Sequence, residues 1–410
     1  MFLLLIFTMA APAWSKTLTW KDTLTLAQQN SLEYQAAVSK YKAVEQLEVT
    51  GISGFLPKVT ATASGNHSGS ATSSDSTRSY SAQLSLSQNL FSGFADITNY
   101  QLKKTNTVQA LADFNSAKAK LSADLKQAFA EVYYAQDFKR LAADILNRRR
   151  DNFRTVKLQY SVGHENKGSV LLSESYVAQA EYDVMTIAAN EESLQEDFRR
   201  VLGLAGDEPI MIEKNIEREE LATPPDFKAL AQTNYAVVAA QAAEQESLYN
   251  LRVTRARFLP SLDFNGSYGY TGSTFFPEQD RWSLGLTLSI PLFDSLRDYS
   301  SYRSNSTKLD GASFSARNIA IKTATDLKRA YNDYALALQK EKIDESFNKA
   351  AILRADIARS KYKNGFLSFE DWDIIETDLI LKQKTILDSE RNRIIKQAQW
   401  EKALGVGVYQ

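Results

Sequence analysis

The sequence predicts a mixed fold that is all-α over most of its length and contributes four β-strands to a membrane β-barrel. Three observations predict it. The chain repeats itself halfway along, two segments of each repeat alternate polar and apolar residues, and very long proline-free stretches follow those segments. Glycine (17) and proline (8) are scarce for 410 residues, which favours long uninterrupted helices over several compact domains.

Residues 1–15 are predicted to be a signal peptide. Residues 2–14 are mostly apolar, but the run is shorter than the about 20 residues that a membrane-spanning helix needs. Ala13 and Ser15 place small residues at the two positions that signal peptidase reads. A buried N-terminal strand or helix is the alternative. The rest of the chain has no apolar run long enough to span a bilayer as a helix.

Short motifs recur in the same order in the two halves of the chain. Tyr160-x-x-Gly163 recurs as Tyr362-x-x-Gly365, an offset of 362 − 160 = 202 residues. Motifs that recur at nearly this offset are Leu26-Ala27-Gln28, Phe55-Leu56-Pro57, Leu90-Phe91 and Leu202-Gly203. The chain therefore divides into a first repeat (16–204), an acidic connector with prolines (205–225) and a second repeat (226–410).

Two segments of each repeat alternate apolar and polar residues with a period of two, which predicts strands with one apolar face. The predicted strands cover about 58–68, 79–91, 261–272 and 281–292. At ~10–12 residues each, they have the length of tilted outer-membrane strands. A soluble β-sandwich is the alternative, although these segments are only hairpins between very long helices.

A spacing of three and four residues replaces this alternation after each strand pair. Apolar residues at 111–132 and again at 327–338 follow the seam of a coiled coil. The helices are predicted at about 95–160 and 295–362, each ~100 Å long at ~1.5 Å per residue. Gly163 and Gly365 would then reverse the chain, because tight turns favour φ > 0. Shorter helices would return to Leu202 and Leu404.

Four amphipathic strands cannot close a membrane sheet, because open edges leave backbone groups unpaired in lipid. The smallest common membrane barrels have about eight strands. An oligomer is therefore required. Three chains would give a twelve-stranded barrel with a lumen lined by Ser, Thr, Asn and Gln.

Composition excludes several other classes of protein. Lys+Arg (48) and Asp+Glu (49) nearly cancel, so no basic stripe points to nucleic acid. The chain has no cysteine, which excludes disulfides, thiolate metal sites and cysteine nucleophiles. Only His67 and His164 could supply imidazole. No catalytic triad, phosphate loop or metal cluster stands out, so we expect neither an enzyme nor a bound cofactor.

The ordered motifs resemble the TolC-like outer membrane efflux proteins over essentially the whole chain after residue 15. They are the duplication, the Phe-Leu-Pro helix ends, the strand exits Asn89-Leu90-Phe91-Ser92-Gly93 and Ile290-Pro291-Leu292-Phe293-Asp294, the Tyr-x-x-Gly tips and the Leu-Gly helix ends. The resemblance implies a homotrimer in the outer membrane of a Gram-negative bacterium. Its barrel would continue into a long periplasmic α-helical barrel.

The resemblance also implies a role and partners. Such a protein is the exit duct of a tripartite efflux or type I secretion system. It would dock through a periplasmic adaptor (membrane fusion) protein to an inner-membrane pump. The alternative is a structural coiled-coil protein of the periplasm that forms no channel.

The resemblance further assigns a gate to the helix tips. Tyr362 matches the gate tyrosine of the family, and Asp371 matches the first of its two lumen-constricting aspartates. Ile374 replaces the second aspartate. Ser169 stands where the aspartate partner of the tyrosine is expected, and Leu367 where an arginine is expected. The gate therefore cannot use the family's charged network.

Adaptor docking is expected at the turns, where Gly163 and Gly365 lie beside Phe366, Leu367 and Ser368. The pair Phe366-Leu367 is expected to be exposed, because exposed apolar patches mark partner contacts.

Each of the two gate residues has a structural alternative. Asp371 could be a helix-start carboxylate, and Tyr362 could be an aromatic that packs between helices. His164-Glu165 could be a metal pair, but we expect a polar, exposed tip. The basic run Arg148-Arg149-Arg150 is expected to be a solvated helix face rather than a binding site.

Overall fold

The computed structural model describes residues 17–69, 76–206, 208–213, 216, 218–221 and 223–407, so the predicted signal peptide lies outside it. The helices are α1 (Trp20–Asn30), α2 (Leu32–Glu48), α3 (Ala95–Ser161), α4 (Lys167–Leu202), α5 (Phe227–Thr233), α6 (Tyr235–Ala256), α7 (Arg297–Lys363) and α8 (Phe369–Leu404). The strands are β1 (Lys58–Gly69), β2 (Ser76–Ser92), β3 (Ser261–Gly272) and β4 (Gln279–Ser289). None of the helices in these ranges is long and apolar enough to cross a membrane.

The mixed fold class is confirmed: very long helices combine with one four-stranded antiparallel sheet. α3 and α7 each have 67 residues, and α4 and α8 each have 36. The β4 prediction ran too far, because Pro291 has no N–H for the ladder and the strand ends at Ser289.

Residues 20–55 contain no proline, which predicts one continuous helix that stops before Pro57, but this prediction is wrong. α1 ends at Asn30, the backbone of the next residue, Ser31, is extended (φ −61°, ψ 114°), and a 3₁₀ helix (Val49–Phe55) follows α2. The Ser31 hydroxyl accepts a hydrogen bond from the backbone N–H of Tyr34 at 3.4 Å. A serine that bonds the backbone in this way starts a new helix in place of continuing the old one.

The sheet has the strand order β1-β2-β3-β4, and all its pairs are antiparallel. One face is apolar: Leu84 lies opposite Tyr268, which lies opposite Trp282. The other face is polar. On it, hydroxyl pairs join Ser64 to Ser81 (2.9 Å) and Ser267 to Ser283 (2.8 Å). The alternation read from the sequence is therefore the alternation of the two faces.

The chain folds as two compact units. The first comprises Met1–Ala37, Asn115–Leu230 and Ala324–Gln410, and the second Val38–Phe114 and Ala231–Thr323. Each unit takes segments from both sequence repeats. The repeats are therefore not the compact units of the fold.

The first unit has its main apolar core where α3 meets α4. Leu125 and Val132 of the predicted seam are fully buried there, beside Phe198 and Leu202 of α4. The connector is fixed to this core by a side-chain amide. Gln136 donates to the carbonyl of Ile210 (2.8 Å) and accepts from the N–H of Ile212 (3.2 Å).

Candidate functional site at the helix tips

Both long helices of the first unit end in the same turn. The N–H of His164 bonds the carbonyl of Gln159 (2.9 Å), and that of Gly163 bonds the carbonyl of Tyr160 (3.1 Å). These two backbone hydrogen bonds, together with a glycine in the left-handed conformation, form the Schellman motif. Gly163 has φ 80° and Gly365 has φ 77°, and Gly365 forms the corresponding bond to Tyr362 (3.0 Å). The two glycines thus reverse the chain as their sequence context predicts.

Each return helix begins with a side-chain cap. Asn166 accepts from the N–H of Ser169 (3.0 Å), and Ser368 accepts from the N–H of Asp371 (3.1 Å). The Ser368 hydroxyl also donates to the Asp371 carboxylate at 2.8 Å. These bonds satisfy N–H groups that the first turn of a helix otherwise leaves unpaired. Asp371 is an exposed residue of the first turn of α8, and its constriction role stays a prediction.

Tyr362 is buried between the tips. Its ring stacks on Trp372 at a centroid distance of 4.2 Å and an interplanar angle of 16°, and it also packs near Phe369. Its hydroxyl donates to Glu165 Oε2 at 3.2 Å. Burial, reinforced by the neighbouring carboxylate, raises the pKa of Tyr362 above its ordinary value. The tyrosine is therefore both a packing aromatic and a hydrogen-bond donor to the other tip.

The carboxylate that bonds Tyr362 was missed by the sequence interpretation. Ser169, which stands in the expected place, is buried at the start of α4, and Glu165 supplies the carboxylate from the turn before it. Glu165 also accepts from the N–H of Asn166 at 3.0 Å, which holds it in place. A glutamate is one methylene longer than an aspartate and can reach from four residues earlier.

The predicted exposure of the apolar pair is correct for only one of its members. Phe366 is 80% exposed, whereas Leu367 is half-buried and packs against the cluster around Trp372. At the first tip, Val162 is exposed. A groove of ≈ 500 Å³ lies between the tips, and Glu165 and Tyr362 contribute to its walls.

The basic run on α3 is not a solvated face as predicted. Arg149 is 8% exposed and forms an ion pair with Asp373 of α8 at 3.0 Å. Tyr176 of α4 stacks under the guanidinium at 4.3 Å, and its hydroxyl donates to the same Asp373 at 2.9 Å. Three helices thus meet at one partly buried carboxylate. The prediction failed because α3 is covered by both α4 and α8, so a wide arc of its surface is buried.

Charge pairs continue along these helices. Arg148 is half-buried and donates to Gln383 at 2.6 Å, whereas Arg150 is exposed and pairs with Glu181. Glu376, which is almost fully buried, pairs with Arg359 of α7 at 2.7 Å. The described parts of the chain contain no group of three or more metal-ligating side chains, and Glu165 is directed at Tyr362.

The sequence pattern of the family described as outer membrane efflux protein matches residues 23–206 and again 228–406. The alkaline protease secretion protein AprF of Pseudomonas aeruginosa is 22% identical over 78% of this chain and 70% of its own length. The fold is that of solved channels. The similarity to CusC has a TM-score of 0.85 at 16% identity and covers 94% of this chain and 92% of that one.

A second solved structure agrees. The open state of the MtrE outer membrane channel of Neisseria gonorrhoeae gives a TM-score of 0.83 at 17% identity, covering 95% of this chain and 89% of that one. The two family matches together span most of the chain, and the sheet and helices found here are those of TolC-like channels. The chain belongs to the outer membrane efflux protein family and is a TolC-like channel protein of the Gram-negative outer membrane.

Proposed function

We propose that the chain is one of three identical subunits of an export duct, the exit component of a tripartite efflux or type I secretion system. One observation carries this proposal: the sheet is amphipathic and open. β1 and β4 lie at its two edges, so their outer backbone groups need partners in lipid. Four strands are too few to close a barrel around a lumen, and three copies supply twelve.

The two faces of the sheet support a water-filled lumen. The apolar face carries Trp282, Leu284, Leu286 and Leu288 along β4, and all four are more than half exposed in one chain. Side chains of this kind are stable against lipid. The serine pairs of the opposite face hydrogen-bond to each other and suit a hydrated interior. A structural coiled-coil protein of the periplasm has no use for an apolar sheet face of this size.

The tips are the proposed docking surface for a periplasmic adaptor protein. Phe366 is exposed on the second tip and Val162 on the first, each beside a turn glycine that leaves the backbone accessible. Exposed apolar residues on a rigid turn are typical of partner contacts. The adaptor would in turn connect the duct to an inner-membrane pump. The name of AprF refers to protease secretion, whereas the family description refers to efflux, so both polypeptides and small molecules are candidate cargoes for this chain.

The same tips are the proposed gate. The bond from Tyr362 to Glu165 joins the turn of the second repeat to that of the first. Arg149 and Asp373 join the same two repeats deeper along the helices. Opening would separate the tips and break the first of these contacts before the second. Asp371 is the proposed constriction residue, with Ser169 behind it at the start of the neighbouring return helix.

The native mass of the protein, extracted in detergent from the outer-membrane fraction, tests the proposal. We expect a trimer that inserts single channels into planar lipid bilayers. A periplasmic monomer or dimer without conductance would overturn the duct and favour the structural coiled-coil protein. Variants in which an edge strand carries proline, such as Leu286→Pro on β4, should lose both the trimer and the channel. The matched control is Leu286→Val, which keeps the backbone N–H at the same position. A proline elsewhere, for example at the exposed Leu353 of α7, would not serve as a control, because it would break a helix.

A further inference from the structure

Two side chains with hydrogen-bond donors lie on the apolar face of the sheet, at the end where loops join β1 to β2 and β3 to β4 (the loop end). His67 of β1 lies directly opposite Arg78 of β2. Side chains on a strand alternate between faces, so Arg78 shares the face of Tyr80, Ala82 and Leu84. A guanidinium on the lipid-facing side of a sheet needs an anionic or aqueous partner. Arg78 forms no ion pair with any other residue that the structure describes.

Aromatic residues lie just below this pair. Tyr80 is the next outward residue of β2, and its ring lies over Gly65, the next outward residue of β1. Phe275, in the loop before β4, packs edge-on against Tyr80 at 5.7 Å and is exposed. Tyr268 and Tyr270 share a hydroxyl contact of 3.2 Å on the same face. Amphipathic rings in such a band mark the boundary between acyl chains and headgroups.

The height of the sheet agrees with this boundary. From Leu262 to Gly272, β3 rises about 26 Å along the membrane normal, at ~3.4 Å per residue and a tilt of ~40°. The apolar band of such barrels is about 25 Å tall. Gly272 lies opposite Tyr80, and Arg78 is two residues further along β2 towards the loop end. Arg78 and His67 therefore lie at headgroup level when Leu262 lies at the opposite boundary.

We infer that His67, Arg78, Tyr80 and Phe275 form a binding site for the anionic, phosphomonoester-bearing headgroup of an outer-leaflet lipid. The guanidinium presents paired N–H donors that fit a phosphate, and the imidazole adds a further donor beside it. The rings of Tyr80 and Phe275 would contact the first part of the acyl chains. Among the described residues near this end, the acidic Asp280 lies on β4 opposite Tyr270, two strands from Arg78, and Glu278 lies in the loop before β4, beside Gly272.

This inference rests on the proposed function only for the orientation of the sheet, whose loop end then faces the outer leaflet. Arg281 provides a matched control. It lies near the same end of the sheet, opposite Gly269, but on the polar face, because the neighbouring Trp282 is on the apolar face. A lipid bound to the outer surface would therefore depend on Arg78 and not on Arg281.

Native mass spectrometry of the detergent-extracted full chain tests the inference. The protein is titrated with bis-phosphorylated lipid A and, separately, with zwitterionic phosphatidylethanolamine. We expect lipid A to bind Arg78→Gln on the order of tenfold more weakly than the wild type, and His67→Gln to weaken it less. Arg281→Gln should bind as the wild type does, and phosphatidylethanolamine should not distinguish the variants. The oligomer mass in each spectrum shows whether a variant has assembled.

Three outcomes would overturn the lipid site. They are equal binding by Arg78→Gln and the wild type, equal weakening by Arg281→Gln, and displacement of lipid A by millimolar inorganic phosphate, which would indicate a site for the free anion. Bilayer conductance of the same samples separates the two proposals. Conducting channels without Arg78-dependent lipid binding contradict the lipid site alone, whereas Arg78-dependent binding without conductance contradicts the duct alone.

Discussion

Gly93 and Ser295 hold the same left-handed backbone conformation at equivalent points of the two repeats, with φ of 62° and 58°. The residues after them, Phe94 and Leu296, are left-handed too, with φ of 71° and 67°. Both strand-to-helix turns therefore need a conformation that costs an L-residue about 1–2 kcal/mol. The first repeat places glycine at this position, and the second tolerates serine.

Exchanging these side chains should have opposite effects on stability. A Cβ at Gly93 would lie 2.6 Å from the carbonyl oxygen of Ala256, so Gly93→Ala should destabilise the protein by about 2 kcal/mol or more. Ser295→Gly removes the strain and should stabilise it by about 0.5–1 kcal/mol, after the extra freedom of the unfolded chain is subtracted. Thermal unfolding in one detergent measures both. Equal destabilisation by the two variants would contradict the shared strain.

Removal of the Tyr362 hydroxyl should favour opening of the tips. Tyr362→Phe keeps the stack on Trp372 but leaves Glu165 without its hydroxyl partner. The closed state should lose about 1–2 kcal/mol of stabilisation. The ratio of open to closed channels in single-channel recordings should therefore rise on the order of tenfold. The control is Tyr160→Phe, because Tyr160 is the counterpart of Tyr362 in the first repeat and is exposed. Unchanged open probability in Tyr362→Phe would mean that this bond does not hold the gate.

The ion pair between Arg149 and Asp373 should contribute more to stability than the exposed pair next to it. Removing one charge leaves the other largely buried without its ionic partner, so Arg149→Met or Asp373→Asn alone should cost about 2–4 kcal/mol. The double variant should cost less than the sum of the two. Arg150→Met, which breaks the exposed pair with Glu181, should cost less than about 1 kcal/mol. Chemical denaturation compares them, and additive costs would exclude a coupled pair.

Tyr334 should make the protein sensitive to alkali. Burial raises the pKa of Tyr334 to about 12, and its hydroxyl donates to the carbonyl of Glu219. The folded state therefore holds this proton more tightly than the unfolded state, whose pKa is about 10. The stability that this adds is complete below pH 10 and is lost as the pH rises towards 12. In denaturation at increasing pH, Tyr334→Phe should lose less stability across this interval than the wild type, whereas exposed Tyr182→Phe should follow the wild type.

Asp371 should govern ion selectivity if it lines the constriction. Three carboxylates around one axis would attract cations, so Asp371→Asn should lower the ratio of cation to anion permeability in reversal-potential measurements. Glu370→Gln is the neighbouring control, because Glu370 is also exposed in the first turn of α8. If only the Glu370→Gln control lost selectivity, Asp371 would not be the constriction residue.

The sequence was sufficient for the long helices and their turns. Proline-free stretches with a coiled-coil spacing leave a chain no alternative to a long helix, and Gly163 and Gly365 adopt the φ > 0 that such a reversal needs. The strands were equally accessible, because alternation of Leu and Ser has one interpretation on a sheet. The break at Ser31 was missed because it depends on a single side chain that bonds the backbone.

The partners within the site could not be predicted in the same way. Tyr362 was identified, but its carboxylate comes from Glu165 in the turn rather than from the expected place of Ser169. Motif matching fixes positions along the chain, whereas a hydrogen bond depends on side-chain length and on how two tips approach. Arg149 was assigned to solvent for a related reason. Its helix is covered by two neighbours, and the sequence of α3 alone does not reveal how wide its buried arc is.

The equal lengths of α3 and α7, and of α4 and α8, restrict how this chain can change during evolution. One inserted residue turns everything beyond it by about 100° and moves it by ~1.5 Å. Glu165 lies in the turn after α3 and Tyr362 near the end of α7, and the contact between them would not survive such a shift. Insertions and deletions in one hairpin are therefore viable only with a matching change in the other, so the two halves must vary in length together.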